Sequence, residues 1–236
     1  MTIKEHVETV REEMARACLR SGRNEHEVTL IGVTKFVPVS KIEEAVQAGI
    51  RHVGENRAQE FTEKLIFYKQ HDLHRHFIGQ LQTNKVKYIC GNAELIHSVD
   101  RESLLEAIQT QAAKTGIRQD VLLEVNIGEE PQKGGIAPDA VWNMVDRAAA
   151  MPSVRVRGLM CVPPIGETEA VRKYFQRMYT LFAKTQERYP QLAWDVLSMG
   201  MSHDYPIAIE EGATHVRVGT AIFGARNTTE GRKQNG

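Results

Sequence analysis

A lysine at the end of an apolar, β-branched run is the first group in this chain that could do chemistry: Val28 to Thr34 leads directly into Lys35. At the rim of a folded domain such a lysine is partly desolvated, which lowers its pKa and favours the neutral amine that condenses with an aldehyde. A solvated lysine capping a strand is the competing reading, and on spacing alone it is the stronger one, because lysine reaches water easily. Two further stretches shift that balance. Ser198-Met199-Gly200-Met201-Ser202 and Gly219-Thr220 supply hydroxyls and closely approaching backbone amides, the donors a phosphate dianion requires. Arg217 stands just before the second of them, and its permanently charged guanidinium can donate to an acceptor such as a ring nitrogen. A lysine and a phosphate cradle with an arginine between them suit a phosphorylated aldehyde better than they suit small residues that merely close a fold.

To act together these groups must be carried to one place, and the pattern of elements says how. Ile3, Val7, Val10, Met14 and Ala17 recur at helical spacing, so residues 1–21 read as an N-terminal outer helix ended by Ser21-Gly22. Candidate strands follow at Val28 to Thr34, His52 to Gly54, His76 to Ile78, Leu95 to Val99, Val121 to Ile127, Val156 to Val162, Asp195 to Ser198 and His215 to Val218. Amphipathic stretches separate them at Val39 to Ala48, Ala58 to Tyr68, Thr83 to Ile89, Arg101 to Lys114, Pro138 to Ala150, Thr168 to Arg188 and Tyr205 to Glu211. Eight strands, each followed by a crossover, predict an α/β fold made of a single (β/α)8 TIM-type barrel with an added N-terminal helix. An open doubly wound sheet is the alternative, but the Gly-x-Gly-x-x-Gly fingerprint is missing after the first strand. No linker-like segment interrupts residues 23–224, so one domain over 1–226 with a flexible tail at 227–236 is expected. In a barrel the functional groups collect at the carboxyl ends of strands, and phosphate sites favour the loops after strands seven and eight.

Composition limits the function classes. The 236 residues are 42% hydrophobic and 25% charged, the balance of a soluble globular protein. Thirty Lys and Arg offset thirty Asp and Glu, so no global field attracts nucleic acid or an anionic membrane. Cys18, Cys90 and Cys161 are widely spaced without metal-ligand or disulfide patterning, and no apolar leader or membrane-length stretch is present, which together predict a cytoplasmic protein.

Several separated motifs then carry a resemblance: Gly32-Val33-Thr34-Lys35, Gly54-Glu55-Asn56, His76 through Lys85 (HFIGQLQTNK), Gly158-Leu159-Met160, Leu197 through Asp204 (LSMGMSHD) and Arg217 through Gly224 (RVGTAIFG). Over nearly its whole length the chain resembles the pyridoxal phosphate homeostasis proteins, the YggS family. The resemblance implies a barrel of the alanine racemase type that binds pyridoxal 5'-phosphate (PLP) as a Schiff base on Lys35. It further implies that Ser198, Gly219 and Thr220 hold the phosphate, that Arg217 faces the pyridine nitrogen, and that Asn56 and Met199 line the ring pocket. The family commonly has Ser where Thr34 stands and an aromatic where Arg57 stands; the latter changes the shape and charge of the mouth.

The implied role is maintenance of intracellular vitamin B6 (PLP) homeostasis without efficient turnover, with PLP-dependent apoenzymes as recipients and the protein a monomer or weak dimer. An arginine at the ring nitrogen donates without protonating the ring and weakens the cofactor as an electron sink. Racemising relatives are expected to draw a second acid/base group from a C-terminal β-domain, whereas this sequence has 18 residues after its eighth strand. A weak PLP-dependent racemase or lyase is the alternative, and a sugar-phosphate isomerase or Schiff-base aldolase is a third reading from fold analogy alone. Other signals are weaker. His71, His74 and His76 straddle an element boundary rather than share a helix face, so no metal site is expected. Lys133 could contact ligand at the rim or be solvated, Asn84, Lys85 and Lys87 form a small basic cluster, and Cys161 reads as a core residue.

Overall fold

Short runs, most of them rich in Val, Ile and Leu, form the strands of the computed structural model, which describes residues 1–225. The strands are β1 (Thr29–Val33), β2 (His52–Glu55), β3 (His74–Phe77), β4 (Leu95–Val99), β5 (Gln119–Val125), β6 (Val154–Cys161), β7 (Val196–Met201) and β8 (His215–Val218). All pair in parallel with their sequence neighbours, and β1 closes on β8 with Leu30 opposite Val216. This is the expected (β/α)8 barrel; the expected tail lies outside the described residues.

The outer layer consists of α1 (Ile3–Arg20), α2 (Val39–Gln47), α3 (Ala58–Gln70), α4 (Val86–Ile89), α5 (Glu102–Thr115), α6 (Val141–Ala149), α7 (Thr168–Arg188) and α8 (Tyr205–Glu210), with a short α9 (Thr220–Phe223) after the last strand. Helix α1 starts at a capping box in which Thr2 accepts from the Glu5 amide and Glu5 from that of Thr2. Its apolar stripe packs on α2, α8 and α9, over the seam where the last strand meets the first. Among the described residues no helix is long and apolar enough to cross a membrane.

Strand alternation sorts side chains into two shells. Leu30, Val53, Phe77, Ile96, Leu123, Leu159, Leu197 and Val216 face the helices and join one continuous core. Inside the barrel Leu95, Leu122, Met160 and Val196 form a small apolar cluster. Several other inward positions are polar: His76, His97, Ser198 and Arg217 are all buried. An interior with this many hydrogen-bonding groups must satisfy them internally, and that requirement shapes the site.

Element edges differ from expectation in two places that matter. Strand β7 runs on to Met201 instead of stopping at Ser198, so Ser198 lies well inside the barrel wall and Met199 to Met201 belong to the strand and not to the loop after it. Thr220 opens helix α9, which is too short to leave a periodic trace in the sequence.

Candidate functional site

Lys35 follows β1 by two residues, half-buried, on the inward series begun by Ile31 and Val33. Its two neighbours are fixed from behind by α3. The Lys64 ammonium donates to the Thr34 carbonyl and to Glu55 Oε1, both at 2.7 Å, and reaches Glu60 Oε2 at 3.3 Å. Glu60 Oε2 in turn accepts the Phe36 amide at 2.7 Å. Phe36 needs that hold, because its φ of 60° is left-handed, a conformation that costs a bulky residue free energy. Glu55 Oε1 also accepts the Thr34 hydroxyl and the Tyr68 phenol, each at 2.8 Å. Burial and the nearby Glu55 charge push the Tyr68 phenol well above its usual range, so it stays a donor. The peptide units on both sides of Lys35 are thereby clamped by buried groups. The Arg57 guanidinium stacks on the exposed Phe36 ring, 4.6 Å from its centre, so the arginine that departs from the family pattern forms part of the rim.

The adjoining wall comes from β8, which pairs with β1, and from β7 beyond it. Ser202 Oγ accepts the Gly219 amide at 3.1 Å and the Ala221 amide at 3.3 Å, gathering the donors where α9 begins. The register places Ile31 opposite Arg217 and Val33 opposite Gly54, so Val33 lies level with Gly219 and Lys35 level with Asn56. A Cβ on Gly219 would sit 3.2 Å from that of Val33; glycine keeps the cradle open next to the lysine strand. Asn56 Oδ1 is buried without a hydrogen-bond partner, an acceptor on the same level. Gly79 supports it: a Cβ there would fall 2.2 Å from the Asn56 carbonyl oxygen, so only glycine lets the loop after β3 lie on this backbone.

Below this level Arg217 is buried, donating to Ser198 Oγ at 2.6 Å and to the Cys161 carbonyl at 2.8 Å. Burial lowers its pKa, although Cys161, Glu124 and Asp204 oppose that. Glu124, inward from β5, is pushed up to about 7 by burial and then by Asp100. Cys161 is packed into the outer core and burial raises its thiol to about 12, so it is no nucleophile.

The candidate residues therefore separate. Lys35, Asn56, Gly219, Thr220 and Arg217 gather at the carboxyl end of the barrel, with Thr220 exposed at the start of α9. Met199 does not line a ring pocket: it alternates with Ser198 and packs into the outer core, which corrects that expectation. Ser198 points its hydroxyl at Arg217 and His97 within the barrel, and Ser202 holds the cradle amides instead. Both serines lie in one sequence motif, and choosing between them required the true end of β7. Lys133 pairs with Glu130 and donates to the Pro163 carbonyl at 3.2 Å, tying two rim loops together. Lys85 and Lys87 lie over the Tyr88 ring. His71 packs at a tilt against Phe67, His74 pairs with Glu94 and His76 enters the barrel; among the described residues no cluster suits a metal. The buried Glu55, Lys64 and Tyr68 group went unread in the sequence, since a lysine in an amphipathic helix normally signals solvent.

These donors fit one kind of ligand. Grouped amides with a serine hydroxyl suit a phosphate, a buried guanidinium suits an acceptor on an aromatic ring, and a clamped lysine suits a carbonyl carbon. The barrel and this donor set define the class found in the N-terminal domain of alanine racemase, and the model of that domain matches residues 11–227. The pyridoxal phosphate homeostasis protein of Aquifex aeolicus is 47% identical over 227 residues, spanning 96% of this chain and 99% of that one. The chain belongs to the pyridoxal phosphate homeostasis protein family. PipY of Synechococcus elongatus, solved with PLP bound, aligns with a TM-score of 0.80 at 37% identity, over 91% of this chain and 100% of that one. Alanine racemase of Streptomyces coelicolor shares the fold, with a TM-score of 0.66 at 19% identity, over 93% of this chain and 59% of that one.

Proposed function

We propose that this protein binds pyridoxal 5'-phosphate reversibly as a Schiff base on Lys35 and keeps the cofactor available to PLP-dependent apoenzymes, maintaining vitamin B6 homeostasis without efficient turnover. The observation that carries the reading is the clamped Lys35 beside the Ser202, Gly219 and Ala221 cradle. When bound, the cofactor supplies an aldehyde that an amine can capture and water can release.

The chain's own residues then divide the work. Ser202, Thr220 and the amides of Gly219 and Ala221 hold the phosphate, and Asn56 offers an acceptor beside the ring. Arg217 donates to the ring nitrogen while keeping its own proton, a pairing that favours storage over carbanion chemistry. Lys64 and Glu60 fix the backbone on which the amine sits, so loading requires little reorganisation. Three free, buried cysteines and the soluble-type composition favour a cytoplasmic place.

Purified protein loaded with pyridoxal phosphate should show a visible absorption band, and borohydride reduction followed by peptide mapping should place the adduct on Lys35. Lys35→Ala that loads as fully as the unaltered protein would sink the assignment. A weak racemase or lyase is the second reading, favoured by the shared fold; interconversion of amino-acid enantiomers well above the rate with free cofactor would establish it.

A further inference from the structure

Beneath the site a line of hydrogen bonds crosses the barrel interior. Arg217 NH1 lies 2.6 Å from Ser198 Oγ, and Ser198 Oγ lies 3.0 Å from His97 Nδ1. His97 Nε2 is 3.0 Å from His76 Nδ1, and His76 Nε2 is 3.1 Å from His52 Nδ1. The line joins β8, β7, β4, β3 and β2, and ends at the half-buried His52, whose ring stacks on the exposed His74. His215 packs edge-on against His76 and His97 and bonds Thr214, so it flanks the line without joining it.

The direction of these bonds is set at one end. A guanidinium can only donate, so Ser198 Oγ accepts from Arg217. The acceptor within reach of the serine's own hydrogen is His97 Nδ1. Burial pushes His76 and His97 far below the usual imidazole range, so both are neutral and each carries one N–H. With Nδ1 accepting, the His97 proton lies on Nε2 and is donated to His76 Nδ1; His76 then donates from Nε2 to His52 Nδ1. Every group turns its acceptor toward Arg217 and its donor away. The aligned dipoles solvate a buried cation without a carboxylate in contact with it, which leaves the guanidinium charged and able to donate elsewhere.

We propose that Ser198, His97, His76 and His52 act as positioning residues for Arg217, one oriented column that holds its guanidinium charged and aimed at the space for the cofactor ring. The column's role toward the ring rests on the pyridoxal phosphate reading, whereas its direction can be tested without any ligand. Long-range 15N–1H correlation spectra of the cofactor-free protein should find His52, His76 and His97 neutral with the proton on Nε2. A proton on Nδ1 of His76 or His97 would overturn the column.

The functional half is read in the loaded protein. His97→Leu should move the absorption band of bound pyridoxal phosphate and speed its release about fivefold, the scale of one lost hydrogen bond between neutral groups. His97→Gln, which can accept and donate, should restore both. Ser198→Ala breaks the same line with a smaller change and serves if His97→Leu does not fold. An unmoved band with unchanged release in a folded, loaded variant overturns the positioning role. Should the unaltered protein fail to load at all, the proposed function falls while the tautomer result still decides the column.

Discussion

Lys64 Nζ lies 2.7 Å from Glu55 Oε1, with side chains 9% and 0% exposed, directly behind the strand end that presents Lys35. Glu55 Oε2 has no hydrogen-bond partner, so the stability of this group depends on what gathers at Oε1. A buried pair of this kind costs desolvation on both sides, and its removal by halves is worse than its presence.

Lys64→Met should accordingly destabilise the protein by about 3–5 kcal/mol, because Glu55 is left charged and uncompensated in the interior. The double variant Lys64→Met with Glu55→Leu should recover much of that loss. Urea unfolding of the two variants beside the parent makes the comparison, and equal loss in both would show that the pair is not the source. The lone variant should also load more slowly, as the Thr34 carbonyl beside Lys35 loses its tether.

Ser202→Ala should weaken pyridoxal phosphate binding about tenfold, one hydrogen bond to a charged group, while leaving the binding of unphosphorylated pyridoxal unchanged. Ser198→Ala should instead affect both ligands alike, since its hydroxyl meets Arg217 and not the cradle amides. Titrations followed by absorbance distinguish the two serines, and a selective phosphate effect at Ser198 would return the cradle to the residue expected from the sequence.

The barrel could be counted from the sequence because most strands are short β-branched or apolar runs and most crossovers longer amphipathic ones. Lys35 was legible for the same reason, as the first charge after such a run. Met199 and Ser198 were misplaced because a site read from a motif assumes where the strand ends, and β7 continued three residues further than expected. The histidine column was invisible for another reason. His52, His76 and His97 are separated by about twenty residues at each step, and only the parallel pairing of β2, β3 and β4 sets their rings side by side.

Gly158→Ala should be among the most damaging single changes available. A Cβ at this position would fall 1.8 Å from the Val196 carbonyl oxygen, and the residue's φ is 153°. Neither the β6 to β7 pairing nor the neighbouring Phe182 ring can yield by that amount, so loss of the folded state at ordinary temperature is expected. Gly116→Ala is the control. It too has a positive φ, at a helix C-cap, but nothing lies within 4 Å, and it should cost only about 1 kcal/mol. Similar thermal midpoints for the two variants would show that close approach is not what Gly158 serves.

Glu124 should make the protein less stable as pH rises from about 4.5 to about 7. Burial and Asp100 raise its pKa from 4.5 in that interval, so the native state holds a proton that the unfolded chain releases, and stability is lost as the native carboxyl ionises. The barrel histidines act in the opposite sense: His52 and His215 are lowered to about 4 and His76 and His97 lie well below 6.5, so the unfolded chain binds the extra protons and stability rises with pH over that range. The parent's pH profile is the sum of these opposing slopes and cannot by itself identify either. The difference between the parent and Glu124→Gln isolates the carboxylate: the variant should gain up to about 3 kcal/mol relative to the parent at pH 8, with the gain vanishing near pH 4. Unfolding midpoints measured in denaturant from pH 5 to 8 test this, and a gain that stays constant across the range would assign the effect to packing instead of ionisation.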